Sequence, residues 1–203
     1  MQRMHASGHP SPAPIPSVNG REIEAAEVDG APHSIRLLTF VEGTPLIDFE
    51  HFSAETIAAM GALVGQVVAT LGDFEHPGLD RELQWDLRVG ERLVEELINY
   101  VADPERRALV LGALEDATAV LAPLKDSLPL QAIHGDLTDD NLVATAGELG
   151  RPQLSGIIDF GDVGTGWRIA ELAVACTAVF HHDPARPLAV LPLIRAFDEV
   201  VHL

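Results

Sequence analysis

The spacing of apolar residues changes character near residue 45, separating an extended N-terminal stretch from a largely helical remainder. Pro10, Pro12, Pro14 and Pro16 stand at alternate positions. No helix is expected over residues 7–20, and residues 1–20 read as an extended, proline-rich lead-in. Arg21 to Val28 and Ser34 to Val41 are strand-like, with Asp29-Gly30 between them suited to a tight hairpin turn. Glu42-Gly43-Thr44-Pro45 then breaks the pattern.

Helical spacing follows. Ser53 is placed to cap a helix reaching Leu71, because Ile57, Met60, Val64, Val67 and Leu71 share one face. Gly61 and Gly65, one turn apart, point to a closely packed neighbour rather than to membrane pairing. A second helix is expected around Trp85 to Val101, and a third from the Asp103-Pro104 cap towards Leu124. Leu128 to Ile133 is a short apolar approach. Leu142-Val143-Ala144 and Leu154 to Phe160 read as a β-hairpin. An apolar helix from Trp167 to Phe180 and another starting near Pro187 complete the chain.

Charge narrows the partners. Acidic residues number 31 against 13 basic ones, a formal net charge of −18. That opposes nucleic acid or an anionic membrane as partner, since both require a positive surface. It is compatible with a cationic ligand, though acidity also serves solubility. Cys176, the only cysteine, allows no internal disulfide and reads as a small core residue. The first residues have no secretory pattern, and Ile57 to Leu71, interrupted by Gln66, is too short to span a bilayer. A cytoplasmic protein is expected.

The chemistry concentrates in His134-Gly135-Asp136-Leu137-Thr138-Asp139-Asp140-Asn141 and, after the hairpin, in Asp159-Phe160-Gly161. Transfer of a γ-phosphoryl group is mostly positioning and charge stabilisation, so it needs few side chains. Asp136 is the candidate base for an incoming hydroxyl, and Asn141 and Asp159 offer oxygen ligands to Mg2+. Protein kinases use the same spacing, but two departures narrow the acceptor. Gly135 stands where they carry arginine. After Gly161 the chain runs through Asp162, Gly164 and Gly166 straight towards a helix, with no long segment on which a peptide could lie. A small-molecule acceptor is expected. His134 reads as a loop-holding residue.

His-Gly-Asp-x-x-x-x-Asn with Ile158-Asp159-Phe160-Gly161 resembles the aminoglycoside phosphotransferase superfamily, which also holds choline, homoserine and hydroxylysine kinases. Trp85-Asp86-Leu87 and Ala170-Glu171-Leu172-Ala173 bring it nearest the hydroxylysine-kinase-like branch. The resemblance implies an α+β, protein-kinase-like fold. Residues 46–203 would be the helical catalytic lobe with a catalytic-loop hairpin, and 21–45 a remnant of the N-terminal β lobe with the hinge. It implies ATP or GTP as donor and an alcohol on an amine or amino-acid-like acceptor. Backbone near Thr39, Phe40 and Val41 would meet the purine, Asp162 would bind a substrate ammonium or support the metal loop, and Glu171 would brace the catalytic loop.

Two parts of such a kinase are missing. No G-x-G-x-x-G occurs, and the sole lysine, Lys125, ends a helix ahead of the catalytic loop. The chain therefore reads as an N-terminally truncated small-molecule kinase. The alternatives are a pseudoenzyme that binds nucleotide or metal without turnover, and a metal-dependent hydrolase. The hydrolase reading is the weaker, since His181-His182-Asp183 reads as a helix-end turn.

Overall fold

The computed structural model describes residues 1–148 and 150–203. Its N-terminal elements are helix α1 (Gln2–Ala6) and strands β1 (Pro14–Ile15), β2 (Glu24–Val28), β3 (Ala31–Ile35), β4 (Leu37–Leu38) and β5 (Thr44–Pro45). Helices α2 (Ala54–Leu71), α3 (Gly90–Leu97) and α4 (Pro104–Leu121) follow, then β6 (Leu130–Ile133), β7 (Leu142–Ala146), β8 (Pro152–Ile157) and β9 (Gly164–Trp167). Helices α5 (Arg168–His182) and α6 (Leu191–Val201) close the chain.

Residues 7–20 hold no helix, but α1 stands within the stretch expected to be wholly extended. Its Met4 is fully buried in the main core, and that burial gives a five-residue helix the stability its length cannot. Asp29 and Gly30 both have positive φ, 52° and 78°, as a two-residue hairpin turn between β2 and β3 requires. The second expected strand is interrupted after Ile35. β4 pairs instead with β1, Pro14 opposite Leu38.

Helix α2 is the spine. Ser53 Oγ accepts from Thr56 N at 3.2 Å, and Ile57, Met60, Val64, Val67 and Leu71 are all buried. A Cβ at Gly61 would collide with the carbonyl of Leu193, so only glycine lets α6 lie this close. With 18 residues α2 is, by length and composition alone, long enough to cross a membrane, which corrects the shorter estimate from Ile57. In this fold it is the core helix, packed along α6 and across α5.

Strand β7 is the centre of a three-stranded sheet in the order β5-β7-β8, with Leu142 opposite Ile157 and a bulge between Val143 and Ala144. Ile157 N donates to Pro10 O at 3.0 Å, so the lead-in runs along the free edge of β8. The stretch expected to pass straight into a helix forms β9, which pairs with β6 from Leu130–Trp167 to Ile133–Gly164. The helix expected from Trp85 is regular only over α3, and Trp85 and Asp86 lie outside it. Asp86 caps a tight turn by accepting from Arg88 N at 2.9 Å.

Candidate active site

Two loops meet between the β5-β7-β8 sheet and the β6-β9 pair. The catalytic loop joins β6 to β7, the metal-loop candidate joins β8 to β9, and both spring from antiparallel pairs that fix their separation. Gly135 has φ 87°, a conformation that side-chain-bearing residues rarely adopt, and a Cβ there would press on Asp162 O at 3.0 Å. Glycine at this position therefore lets the two loops touch.

Glu171, fully buried in the first turn of α5, accepts from His134 N at 3.0 Å and from Gly135 N at 2.6 Å. This is the brace expected of it. Burial pushes its carboxyl up to about 7, against the two backbone donors that favour the charged form. His134 is also fully buried, its Nε2 3.1 Å from Ile158 O and its ring edge-on to Phe160. A carbonyl partner makes Nε2 the protonated nitrogen, and Nδ1 is buried without a hydrogen-bond partner. Desolvation lowers its pKa to about 4, so the ring is neutral. It pins the catalytic loop to the strand leading into Asp159.

Asn141 Nδ2 donates to Asp136 Oδ2 at 2.7 Å and to Asp136 O at 2.8 Å. The amide thus faces Asp136, which leaves Oδ1 as the atom Asn141 can offer a cation. Burial raises the Asp136 pKa. The Asn141 hydrogen bond opposes that rise, while the negative fields of Asp162, Asp159 and Asp140 add to it. Asp159 adopts a left-handed backbone, φ 56° and ψ 74°, and its Oδ1 accepts from Gly161 N at 3.0 Å. Asp136, Asn141 and Asp159 are thus brought to one region. Mg2+ commonly takes one or two protein oxygens plus substrate phosphates, and the Asn141 and Asp159 oxygens fit that donor set. Among the described residues no group of three or more His, Cys, Asp or Glu could hold a metal without such help.

Asp162 lines a cavity of about 30 Å3 with Gly135, Ile133, Arg81 and Trp85. No cation among the described residues pairs with it. The hinge candidates lie apart from this cavity. Thr39 N donates to Ala13 O at 2.9 Å, Phe40 is exposed, and Val41 packs on Gly156, three residues before Asp159. Cys176 is partly buried, and desolvation raises its thiol to about 11, as for a packing residue.

Two supports were not foreseen. Arg81 donates to Gly161 O and to Val163 O, clasping the metal-loop candidate from a segment 80 residues earlier. Arg88 pairs with Asp86 and donates to Thr165 O at 2.6 Å. Their targets are backbone carbonyls, which have no side-chain signature, so no sequence pattern marks these contacts. Part of the signal was visible in Trp85-Asp86-Leu87, whose aspartate holds Arg88.

Residues 1–197 match the family described as phosphotransferase enzyme family. The hydroxylysine kinase of Danio rerio is 29% identical over 216 residues, covering 100% of this chain and 59% of that protein. The homoserine kinase of Pseudomonas aeruginosa strain UCBPP-PA14 is 31% identical over 195 residues, covering 93% of this chain and 56% of its own length. Among solved structures, a microcompartment-associated aminopropanol kinase aligns with TM-score 0.61 at 15% identity, over 100% of this chain and 63% of the other. An amicoumacin kinase in complex with AMP-PNP, Ca2+ and Ami aligns with TM-score 0.69 at 16% identity, over 100% and 60%. At such identities the structures show the fold, which is protein-kinase-like. The chain spans 56% to 63% of the length of these four proteins.

Proposed function

The chain belongs to the phosphotransferase enzyme family, and from that premise we propose that it carries the base and metal half of a small-molecule kinase. The observation that carries this reading is the Asn141 amide turned onto Asp136 at 2.7 Å, with Asp159 close enough for its charge to act on Asp136. Asp136 accepts a hydrogen bond from the acceptor alcohol and takes its proton. Its raised pKa favours that transfer. Asn141 and Asp159 hold Mg2+, which when bound neutralises charge on the phosphates of ATP or GTP. Backbone at Thr39, Phe40 and Val41 meets the purine, beside the strand that leads to Asp159. Residues 46–203 act as the catalytic lobe, 21–45 as the β-lobe remnant and hinge, and 1–20 as a lead-in.

The acceptor on this reading is an amine-bearing alcohol. Among the described residues Asp162 has no cationic partner, and its small cavity is lined by Gly135, the residue before the base. Hydroxylysine, homoserine and aminopropanol, named for the relatives above, each join an amine to a hydroxyl. A second reading, nucleotide and metal binding without turnover, is favoured by one observation. Lys125 is exposed in the turn after α4, so no lysine is at hand for the phosphates. The test is calorimetric titration of Mn2+ with a non-hydrolysable nucleotide, followed by phosphate-transfer assays with and without hydroxy-amines. We expect weak nucleotide-dependent metal binding, very slow transfer, and loss of transfer in Asp136→Ala with an unchanged thermal melt. Failure of metal and nucleotide to bind overturns both readings; binding without any transfer selects the second.

A further inference from the structure

Asp139 lies between the candidate base and Asn141, yet phosphoryl transfer gives it no task. Its side chain is 5% exposed, and its Oδ2 is 2.7 Å from His182 Nε2 in the last turn of α5. The His182 ring packs against Phe52 at a tilt of 44°, ring centres 3.9 Å apart, just ahead of the Ser53 cap of α2. The backbone of Asp139 is held as well, since Ile47 N donates to its carbonyl at 3.1 Å. Two segments distant in sequence, at Ile47 and at His182, therefore meet at Asp139, and Phe52 backs the histidine. Its neighbours make the turn that matters. Thr138 O accepts from Asn141 N at 3.2 Å and from Leu142 N at 3.1 Å, and that turn aims the Asn141 amide at Asp136.

We propose that Asp139 and His182 form a positioning clamp, in which His182, 43 residues from its partner, holds the 138–141 turn in the register that brings Asn141 to Asp136. A buried carboxylate is strongly disfavoured without a partner, so the carboxylate follows the imidazole and the turn follows the carboxylate. The end of α5 is a rigid anchor for this purpose, because its first turn already carries Glu171, the brace of His134 and Gly135. One helix thus grips the loop at both ends, through Glu171 at residues 134–135 and through His182 at residue 139. The consequence for chemistry rests on the phosphotransfer reading of Asp136 and Asn141; the clamp itself does not.

The test uses the isotopically labelled full chain with His182→Ala and His182→Gln. A cavity of about 90 Å3 already borders His182 and Phe52, so removal of the ring leaves room for free imidazole. We expect amide exchange at Asn141 and Leu142 to accelerate roughly tenfold in His182→Ala while buried α2 amides keep their rates. The Asn141 side-chain amide resonance should shift, and imidazole should restore both signals. His182→Gln, which keeps a donor, should fall between wild type and alanine. Unchanged exchange at residues 141–142, an acceleration spread evenly through α2 and α6, or no recovery with imidazole overturns the clamp. Mn2+ titration of the same samples in the presence of a non-hydrolysable nucleotide separates the two ideas. A loosened loop in a chain that never binds Mn2+ upholds the clamp and sinks the metal-site reading. Equal Mn2+ affinity in wild type and His182→Ala overturns the clamp's effect on the site.

Discussion

Two β-hairpins in this protein begin from similar local signals and end in different physical situations. β2–β3 is built on the Asp29-Gly30 turn, and none of its residues is buried. β7–β8 has Leu142, Val143, Ala144, Gly156 and Ile157 buried, and the two loops that flank it carry Asp136, Asn141 and Asp159. The first is defined by its turn, the second by what lies beneath it. A turn can fix register in a hairpin, but only burial fixes where the hairpin sits relative to the rest of the chain. The chemistry is attached to the buried one.

The sharpest way to break this contrast is to truncate one side chain in each hairpin. Leu142 is fully buried whereas Ile35 is 51% exposed. Leu142→Ala should lower stability by about 3 kcal/mol, and Ile35→Ala by no more than about 0.5 kcal/mol, in urea melts. Comparable losses would mean that β2–β3 is packed in solution against something more.

The pH dependence should also belong to the buried side. Glu171, raised to about 7 from its ordinary 4.5, contributes stability that is complete below pH 4.5 and lost as pH rises through 7. His134, lowered to about 4 from 6.5, contributes stability that is complete above pH 6.5 and lost as pH falls through 4. Their slopes have opposite sign and cancel from about pH 4.5 to 6.5. His134→Gln should expose the Glu171 slope, a loss of about 3 kcal/mol between pH 4.5 and 7. Glu171→Gln should expose the reverse slope between pH 4 and 6.5. Parallel stability profiles for wild type and both variants would contradict the assignment.

The smallest effect is expected at the exposed turn. Gly30 has φ 78° and open space around a would-be Cβ, so alanine meets only backbone strain of about 1 kcal/mol. Amide exchange in β2 and β3 should accelerate while the global melt stays put. A matching drop in global stability would show that the two hairpins fold as one unit.

Much of the site was legible because its signals are short-range. The eight residues from His134 to Asn141 make one loop, and Ser53, Asp103 and Asp29-Gly30 act on neighbours within a few positions. Strand β9 was not legible. Gly164 and Gly166 have low strand propensity, and β9 exists because β6 offers it a ladder and because a Cβ at Gly166 would crowd Ile133. Helix α1 was hidden for a similar reason, since Met4 finds its core only once α2 is in place.

The sequence by itself determined the turn at Asp29-Gly30, the caps, the core face of α2 and the order of the candidate catalytic side chains. Each depends on residues close enough to interact whatever the remainder of the chain does. Tertiary structure alone decided that Arg81 clasps Gly161 and Val163, which two amides, of His134 and Gly135, the expected Glu171 brace takes, and that Asp139 meets His182. Those contacts join positions 36 to 82 residues apart. Packing chooses such partners, because buried polar groups accept whatever complementary group the folded core brings within reach.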